Sequence, residues 1–418
     1  MLCLVIKKYF WPVEIKQKSE LEFIIVMASL MSLVALAIDA LLPAIADISK
    51  TIQIVDPKNN QLFITMIFLG LGFGQLISGP LSDSFGRKPV IYVGFVVFAL
   101  ASLICVFATS LEMMIVGRVL QGIGLSAPRT ISIAMVRDRF SGNYMAKVMS
   151  FIVVIFILVP VVAPALGKLM LDSYGWKSIF YSQLIFGFFT MIWVWKRQPE
   201  TLKKEHRKKF KLKLFVEGTK EFLTHKNAVI FTLFSGFITG SFMVYLSASQ
   251  QIFEEQYHLK EEFPFIFAGL AVSIGLATFL NGKLVLRLGM YKLVSIFTVV
   301  FTIIPVFYIV LFTGEDNPSI YVLVLFFSLQ FFSIGFLFGN TRALAMEHIG
   351  HIAGIGAAIN GFTSTIMAVP IATVIGGYIH ETALPLFVGF FVCGFIALLL
   401  IASLKFDKKG KRFVIKPN

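Results

Sequence analysis

Charged side chains are scarce in this sequence, at 14% of its 418 residues, whereas soluble domains carry about 25%. Hydrophobic residues make up 57%, more than the interior of a soluble fold can bury. Cysteine is scarce as well: Cys3 precedes the first long apolar run, and Cys105 and Cys393 lie inside such runs. This spacing fits neither a disulfide framework nor a metal site. Soluble, disulfide-stabilised and zinc-binding classes are therefore excluded.

Catalytic motifs are also missing. The sequence has no P-loop, no zinc-protease motif and no nucleophile elbow. The glycine-rich stretch Gly70–Gly74 lies inside an apolar run and follows no strand, which indicates close helix packing rather than a dinucleotide turn. We expect no enzyme, no metal and no cofactor. The net charge of +14 does not indicate nucleic acid, because the basic residues lie between the apolar runs.

Long apolar runs are what the sequence has in abundance. About 20 apolar residues, at 1.5 Å each, span a hydrocarbon core of about 30 Å. Twelve such runs predict an all-α membrane protein with twelve transmembrane helices. Helices 1 to 12 are predicted at 22–46, 61–81, 90–108, 111–136, 146–171, 176–195, 228–252, 264–285, 292–313, 319–343, 352–379 and 384–404.

The distribution of basic residues predicts the orientation. Of the 37 Lys and Arg residues, 30 lie in the tails and the connections on one side, five lie on the opposite side, and two lie within helix 4. Basic residues favour the cytoplasmic side, so both termini are predicted to be cytoplasmic. The expected localisation is a membrane that the chain crosses many times.

The connection between helices 6 and 7 divides the chain. It carries eleven basic and four acidic residues, as expected for a solvated linker beside anionic lipid. A weak repeat, with glycines at 79 and 86 and again at 282 and 289, indicates two related halves. The predicted organisation is an amino tail (1–21), a six-helix bundle (22–195), a basic linker (196–227), a second six-helix bundle (228–404) and a basic tail (405–418).

Four segments carry a family resemblance: Ala37–Pro43 in helix 1, Gly79–Pro89 after helix 2, Arg118–Gly124 with Val136–Asp138 in helix 4, and Pro160–Gly167 in helix 5. Together they resemble the major facilitator superfamily, and more narrowly its twelve-helix drug:proton antiporters of the bicyclomycin and chloramphenicol resistance branch. The resemblance covers essentially the whole chain and is clearest in the first half. It implies the major facilitator fold, proton-coupled transport by alternating access, and a location in the inner membrane of a bacterium.

The motif after helix 2 is expected to form a latch that holds the outward-facing state. The resemblance places Asp83 near a helix amino terminus of the second half, where the helix dipole favours a carboxylate; helix 11, opening near Gly354, is the candidate. Gly79 and Pro80 are expected to let two helices approach closely near the membrane surface. The alternative is a loop that only sets topology. The expected latch residues are Gly79, Asp83, Gly86, Arg87 and Asp138, with Arg87 paired to Asp138.

Helix 5 contains Pro160, Pro164 and Gly167 within eight residues. Each proline removes a backbone hydrogen bond and bends a helix. A bent helix with a small-residue face suits the interface between the halves. The alternative is an ordinary kink without a mechanistic role.

Two buried charges are candidates for proton coupling. Asp39 in helix 1 and Arg118 in helix 4 are both predicted about 10 Å below the outer surface. Burial raises the pKa of a carboxylate and a nearby arginine lowers it, so Asp39 could exchange a proton or bind a cationic group. The alternative is a permanent ion pair that fixes helix packing. Gln121, one turn after Arg118, is expected to line the cavity, and Arg129 is expected to extend towards the lipid headgroups.

The second half offers polar residues but no equivalent acid. A shift of 206 residues, from the start of helix 1 to that of helix 7, sends Asp39 to Tyr245. Coupling is therefore expected to be asymmetric. Each polar position is either a cavity-lining residue or a helix–helix hydrogen bond. These positions are Tyr245, Ser249, Gln330 and Asn360.

The sequence therefore predicts a proton-driven exporter of small amphipathic compounds, with 45 phenylalanines favouring an apolar cavity. The expected partners are a small-molecule substrate, protons and membrane lipid. A monomer powered by the proton gradient is expected. The alternatives are a transporter of the same fold dedicated to a metabolite or siderophore, imported or exported, and a non-transporting membrane receptor or scaffold.

Overall fold

The computed structural model describes residues 20–54, 56–140, 142–207, 212–314, 316–347, 349 and 353–406. Regular structure in this part of the chain is entirely helical. The long helices are α1 (Glu20–Asp39), α2 (Leu62–Phe85), α3 (Arg87–Val106), α4 (Leu111–Arg139), α5 (Gly142–Tyr174), α6 (Lys177–Arg197), α7 (Lys226–Gln250), α8 (Phe263–Leu288), α9 (Met290–Phe312), α10 (Ile320–Met346), α11 (Ala353–Gly376) and α12 (Leu384–Phe406).

Nearly all of these helices are long and apolar enough to cross a bilayer. Eleven segments of the described residues meet that requirement, and α5, at 33 residues, has sufficient length as well. The twelve predicted helices are therefore present, with ends displaced by a few residues. Helix 1 is the exception: its regular turns end at Asp39, and a 3-10 turn (Leu42–Ala44) and a short helix (Ile45–Thr51) follow. Pro43 lies at the start of that turn, where it can donate no backbone hydrogen bond.

The first six helices meet the last six mainly through two helix pairs. Helix α2 runs antiparallel to α11: the Gln61 amide donates to the Gly376 carbonyl at 2.8 Å, and Gly72 faces Thr365. Helix α5 packs against both α1 and α8. Lys168 on α5 and Glu261 before α8 form an ion pair at 3.0 Å. Helix 5 thus lies at the interface between the halves.

The described linker residues are divided between the two halves. The Lys88 ammonium at the start of α3 donates to the Gln198 carbonyl at 2.7 Å. A linker helix (Leu212–Thr224) packs instead against α11 and α7, where Phe222 is buried. The amino tail up to residue 19 and the carboxyl tail from residue 407 lie outside the described residues. We call the membrane face that carries the linker the linker side, and the opposite face the far side.

Glycines bring α2 and α4 into close contact. A methyl group at Gly122 would collide with the Ile67 carbonyl, and one at Gly70 would collide with the Val119 carbonyl. Gly79 lies outside this tight contact, although the sequence predicted a close approach of two helices there. A methyl group on it would meet no described atom within 4 Å. Among the described atoms, therefore, the predicted close approach is not made at Gly79 but nine residues earlier in α2, at Gly70.

Gly122→Ala is expected to destabilise the protein by about 1–3 kcal/mol, because the added methyl group overpacks two helix backbones. Gly79→Ala, the matched control in the same helix pair, is expected to be neutral or stabilising by up to about 1 kcal/mol. The measurement is the midpoint temperature at which the purified protein loses its monodisperse chromatographic peak after heating in detergent. Equal midpoints for the two variants would contradict this packing.

Candidate functional site

Asp39 occupies the last helical position of α1, immediately before the break. Its side chain is buried, and the residue is only 5% exposed. Among the described residues no basic group lies within 4.0 Å of its carboxylate. The following residue, Ala40, still donates its backbone N–H to the Leu36 carbonyl at 3.2 Å. The break therefore places a buried acid at a helix end, and no residue that the structure describes neutralises it.

Arg118 lies at the depth of Asp39 but binds other groups. Its Nε donates to the Phe63 carbonyl at 2.7 Å, and its Nη1 donates to the Ala37 carbonyl at 3.1 Å. The side chain is fully buried, and its Nη2 has no hydrogen-bond partner among the described residues. The permanent Asp39–Arg118 ion pair, one alternative from the sequence, is thus not formed. Arg118 instead joins α4 to α1 and α2 through backbone carbonyls.

Gln121 connects Arg118 to α3. Its Oε1 accepts from Arg118 Nη1 at 2.8 Å, and its Nε2 donates to the Ser102 hydroxyl at 2.7 Å. The Cys105 thiol lies 3.8 Å from the same Oε1. Gln121 is fully buried. The expectation that it lines a cavity is therefore wrong, because both ends of its amide are engaged between helices.

Helix 5 contacts the break in helix 1. A methyl group at Gly167 would collide with the Ala40 carbonyl, so this glycine allows α5 to lie directly against the residue after Asp39. Pro164 is buried on the same helix. Pro160 lies within α5, but its side chain is outside the described set. The small-residue face of helix 5 therefore supports the segment that carries the acid.

Tyr245 on α7 is the second-half counterpart of Asp39 by the sequence repeat. Its hydroxyl is buried, has no hydrogen-bond partner among the described residues, and lies near enough to Asp39 for an electrostatic interaction. Its ring packs against Phe331 and Phe327, with centroid distances of 4.5 and 5.3 Å. The structure thus brings the acid of one half towards an unpaired phenol, in an aromatic surrounding, from the other.

The three other polar candidates of the second half make internal hydrogen bonds. Asn360 on α11 donates to Thr232 of α7 at 2.9 Å, and Gln330 on α10 donates to the Phe301 carbonyl of α9 at 3.1 Å. Ser249 donates to the Leu246 carbonyl of its own helix at 3.1 Å. All three are buried. Asn360 and Gln330 thus form the helix–helix hydrogen bonds of the alternative interpretation, whereas Ser249 bonds within its own helix.

A second polar cluster lies on the linker side, around Arg87. Its Nε donates to Asp138 at 2.8 Å and its Nη1 to Asp83 at 2.6 Å. The predicted Arg87–Asp138 pair is confirmed. Ser82 also accepts from Nη1, at 2.7 Å. One arginine at the start of α3 therefore connects the end of α2 to the end of α4.

Glu200 in the linker completes this cluster, and the sequence analysis did not identify it. Its carboxylate accepts from the backbone N–H groups of Arg87 and Lys88 at 3.0 and 3.1 Å, which satisfies donors at the helix start. Gly86 has φ of +102°, and a methyl group there would meet the Glu200 carboxylate at 2.8 Å. The available signal was an acid directly after helix 6, in Pro199–Glu200–Thr201.

The described part of the chain thus holds twelve membrane-length helices, a buried acid between their two halves and a charged cluster on one membrane face, which together are typical of a multi-pass membrane transporter. The sequence profile described as Major Facilitator Superfamily matches residues 27–372. The chain belongs to the major facilitator superfamily.

Known proteins similar to the chain agree with this assignment. An uncharacterised transporter of this superfamily from Bacillus subtilis, YdgK, is 30% identical over 95% of this chain and 98% of its own length. A bicyclomycin resistance protein homologue from Haemophilus influenzae is 32% identical over 66% of this chain and 69% of its own. A D-xylose–proton symporter superposes with a TM-score of 0.70 and 16% identity over 94% of this chain and 100% of its own, which shows the shared fold.

Glu200→Gln is expected to lower stability by about 1–3 kcal/mol, because it replaces a charged acceptor of backbone N–H groups by a neutral one. Glu205→Gln is the matched control: Glu205 lies in the same linker, and its ion pair with Lys203 is longer, at 3.8 Å. The measurement is the thermal midpoint of each purified variant in detergent. A Glu200→Gln midpoint equal to that of the control would contradict the helix-start role of Glu200.

Proposed function

We propose that this protein is a proton-coupled antiporter that exports small amphipathic compounds by alternating access. The observation that carries the proposal is the Asp39 carboxylate, 5% exposed, at a helix break between the halves and without a neutralising partner among the described residues. An isolated buried charge is costly, and protonation removes that cost. The protonation state of Asp39 can therefore bias the conformational equilibrium.

The proposed cycle follows from that energetic difference. When Asp39 is charged, it requires either contact with water or a cationic or hydrogen-bonding group of the substrate. When Asp39 is protonated, the halves can close around it, with the Tyr245 hydroxyl as a neighbouring partner. A proton taken up from the far side would thus permit the return of the empty carrier, and its release on the linker side would permit substrate binding.

The Arg87 cluster is the proposed latch of this cycle. Asp83, Arg87 and Asp138 join α2, α3 and α4, and Gly86 provides the turn between the first two. The antiparallel register of α2 and α11, with Gly72 at Thr365 and Gln75 at Gly361, continues towards Asp83 and the first residues of α11. A carboxylate at that helix start would be held by the dipole, and separation of the halves on the linker side would break the contact.

The proposed substrates are small amphipathic compounds, including antibiotics. Support comes from the aromatic surroundings of Tyr245 and from a relative named for bicyclomycin resistance. The proposed location is the bacterial inner membrane, with the linker side and both termini facing the cytoplasm, as the 30 basic residues on that side favour. The second candidate, transport of a dedicated metabolite or siderophore, is an outcome of the same test.

Asp39→Asn is expected to abolish accumulation driven by a pH gradient, at least tenfold below wild type, because its side chain can no longer change charge. Downhill movement of the same compound is expected to persist. The measurement is uptake of compounds from a drug and metabolite panel into proteoliposomes, with and without an imposed pH gradient. Asp47→Asn, a partly exposed acid beyond the same break, is the matched control and is expected to resemble wild type.

The outcomes separate the candidates. Transport of structurally diverse drugs supports the exporter, and transport of a single metabolite or siderophore favours the dedicated carrier. Wild-type gradient-driven transport by Asp39→Asn would overturn the proposed coupling role.

A further inference from the structure

A cavity of about 440 Å³ lies in the first half, between the far-side ends of α5 and α6. Its volume is within the range of ligand sites, about 300–1,000 Å³. Most of its lining comes from α6, where the residues recur at the spacing of one helix face, and the rest comes from the last turns of α5. The lining residues of α6 are Lys177, Ser178, Tyr181, Ser182 and Ile185.

Small side chains leave this space between the two helices. Gly175, with φ of +78°, follows α5 and reverses the chain into α6. The Ser178 hydroxyl donates to the Met170 carbonyl at 3.0 Å, which holds the start of α6 against the last turns of α5. Ser182, one turn later, donates to the Ile179 carbonyl of its own helix at 2.8 Å. The two serines thus occupy positions at which larger side chains would fill the gap.

The cavity opens towards the lipid and not towards the path between the halves. Helix α6 packs against α1, α3 and α5, all of the same half. Tyr174, Tyr181 and Ile185 at the cavity are exposed, and so is Phe188 farther along α6. Large exposed side chains of a membrane span face the acyl chains. Because Ile185 follows Lys177 by eight residues, the lining extends about 12 Å along the helix, from the membrane surface into the hydrocarbon.

The polar groups of the lining favour an anion. Lys177 has no carboxylate within 4.0 Å among the described residues, and its ammonium lies 5.5 Å from the ring centroid of Trp176. The lining contains two phenols and no acid. Asp172, near the end of α5, is paired with Lys168 at 3.2 Å. A lysine on the side that basic residues disfavour therefore stands at an apolar cavity without an acid to neutralise it.

We propose that this cavity binds one anionic phospholipid of the far leaflet, such as phosphatidylglycerol. The lipid phosphate lies at Lys177, because lysine binds phosphate groups as a point charge, and an acyl chain lies along Tyr181 and Ile185. Tyrosine suits the headgroup level, since its ring is apolar and its hydroxyl is polar. A zwitterionic lipid gains less from Lys177 because it carries its own cation beside the phosphate. This inference is independent of the proposed transport function.

The test uses Trp176, beside Lys177, as a reporter of lipid contact. The reporter variant keeps Trp176 and carries phenylalanine at the three other tryptophans. It is placed in phosphatidylcholine nanodiscs that contain a rising fraction of phosphatidylglycerol or phosphatidylcholine with brominated acyl chains, which quench tryptophan fluorescence on contact. Phosphatidylglycerol is expected to quench with an affinity about fivefold higher, as one lysine near an anionic lipid predicts. Equal quenching by the two lipids would overturn the proposal.

Substitution of the lysine tests the charge. In the reporter variant, Lys177→Gln is expected to remove the preference for phosphatidylglycerol, and Lys177→Arg is expected to keep it. Lys50→Gln, at an exposed lysine on the same membrane face, is the matched control and is expected to keep the full preference. A preference of undiminished size in Lys177→Gln would contradict the proposed site.

A second variant separates binding in the cavity from general attraction by a surface lysine. Ser182→Phe fills the space between α5 and α6 and leaves Lys177 in place, so the preference is expected to be lost. Ser403→Phe, at an exposed serine near the linker-side end of α12, is the control and is expected to behave as the reporter variant. If Ser182→Phe kept the preference, the lipid would be held by charge alone and the cavity site would be rejected.

Glycerol 1-phosphate distinguishes a lipid from a soluble phosphate ester. It offers a phosphate like that of the headgroup but has no acyl chains. A large excess in the nanodisc solution is expected to leave quenching by brominated phosphatidylglycerol unchanged. Loss of the preference in its presence would show a site for a free phosphate ester and overturn the lipid assignment.

Discussion

The cost of a bare carboxylate inside the membrane is the constraint on which this structure depends. Asp39 lies between two six-helix halves, and within the described chain nothing neutralises it. Such a group is tolerated where its protonation state or its surroundings can change. The helix break that follows it, the Tyr245 phenol opposite and the glycine of helix 5 beside it all belong to this environment.

Arg118 organises this environment without pairing to the acid. By donating to the Phe63 and Ala37 carbonyls it fixes α4 against α2 and against the last turn before Asp39. A buried arginine whose bonds go to carbonyls keeps its charge and leaves the carboxylate free. The Arg87 cluster on the linker side differs from the Arg118 site, because Arg87 is paired with the carboxylates of Asp83 and Asp138. The linker carboxylate of Glu200 adds hydrogen bonds to the backbone of the same cluster.

The sequence was informative where a pattern is local or repeats at a fixed interval. Helix number follows from apolar runs, and the Arg87–Asp138 pair follows from charges at the ends of neighbouring helices. Residue type alone could not identify the partners of Arg118 and Gln121, because backbone carbonyls and a buried serine leave no distinctive signal. The close helix contact predicted at Gly79 is not found there for a related reason. A glycine shows where close packing is permitted, whereas the contact itself depends on the position of the partner helix.

The central claim is that Asp39 carries the coupled proton, and the movement of protons tests it most directly. Proteoliposomes with a trapped pH indicator would be given an outward or inward gradient of a transported compound, without any imposed pH difference. The account predicts that in wild-type vesicles outward flow of the compound lowers the internal pH and inward flow raises it. Asp39→Asn vesicles are expected to move the compound with no pH change. A proton signal of wild-type size in the Asp39→Asn protein would contradict it.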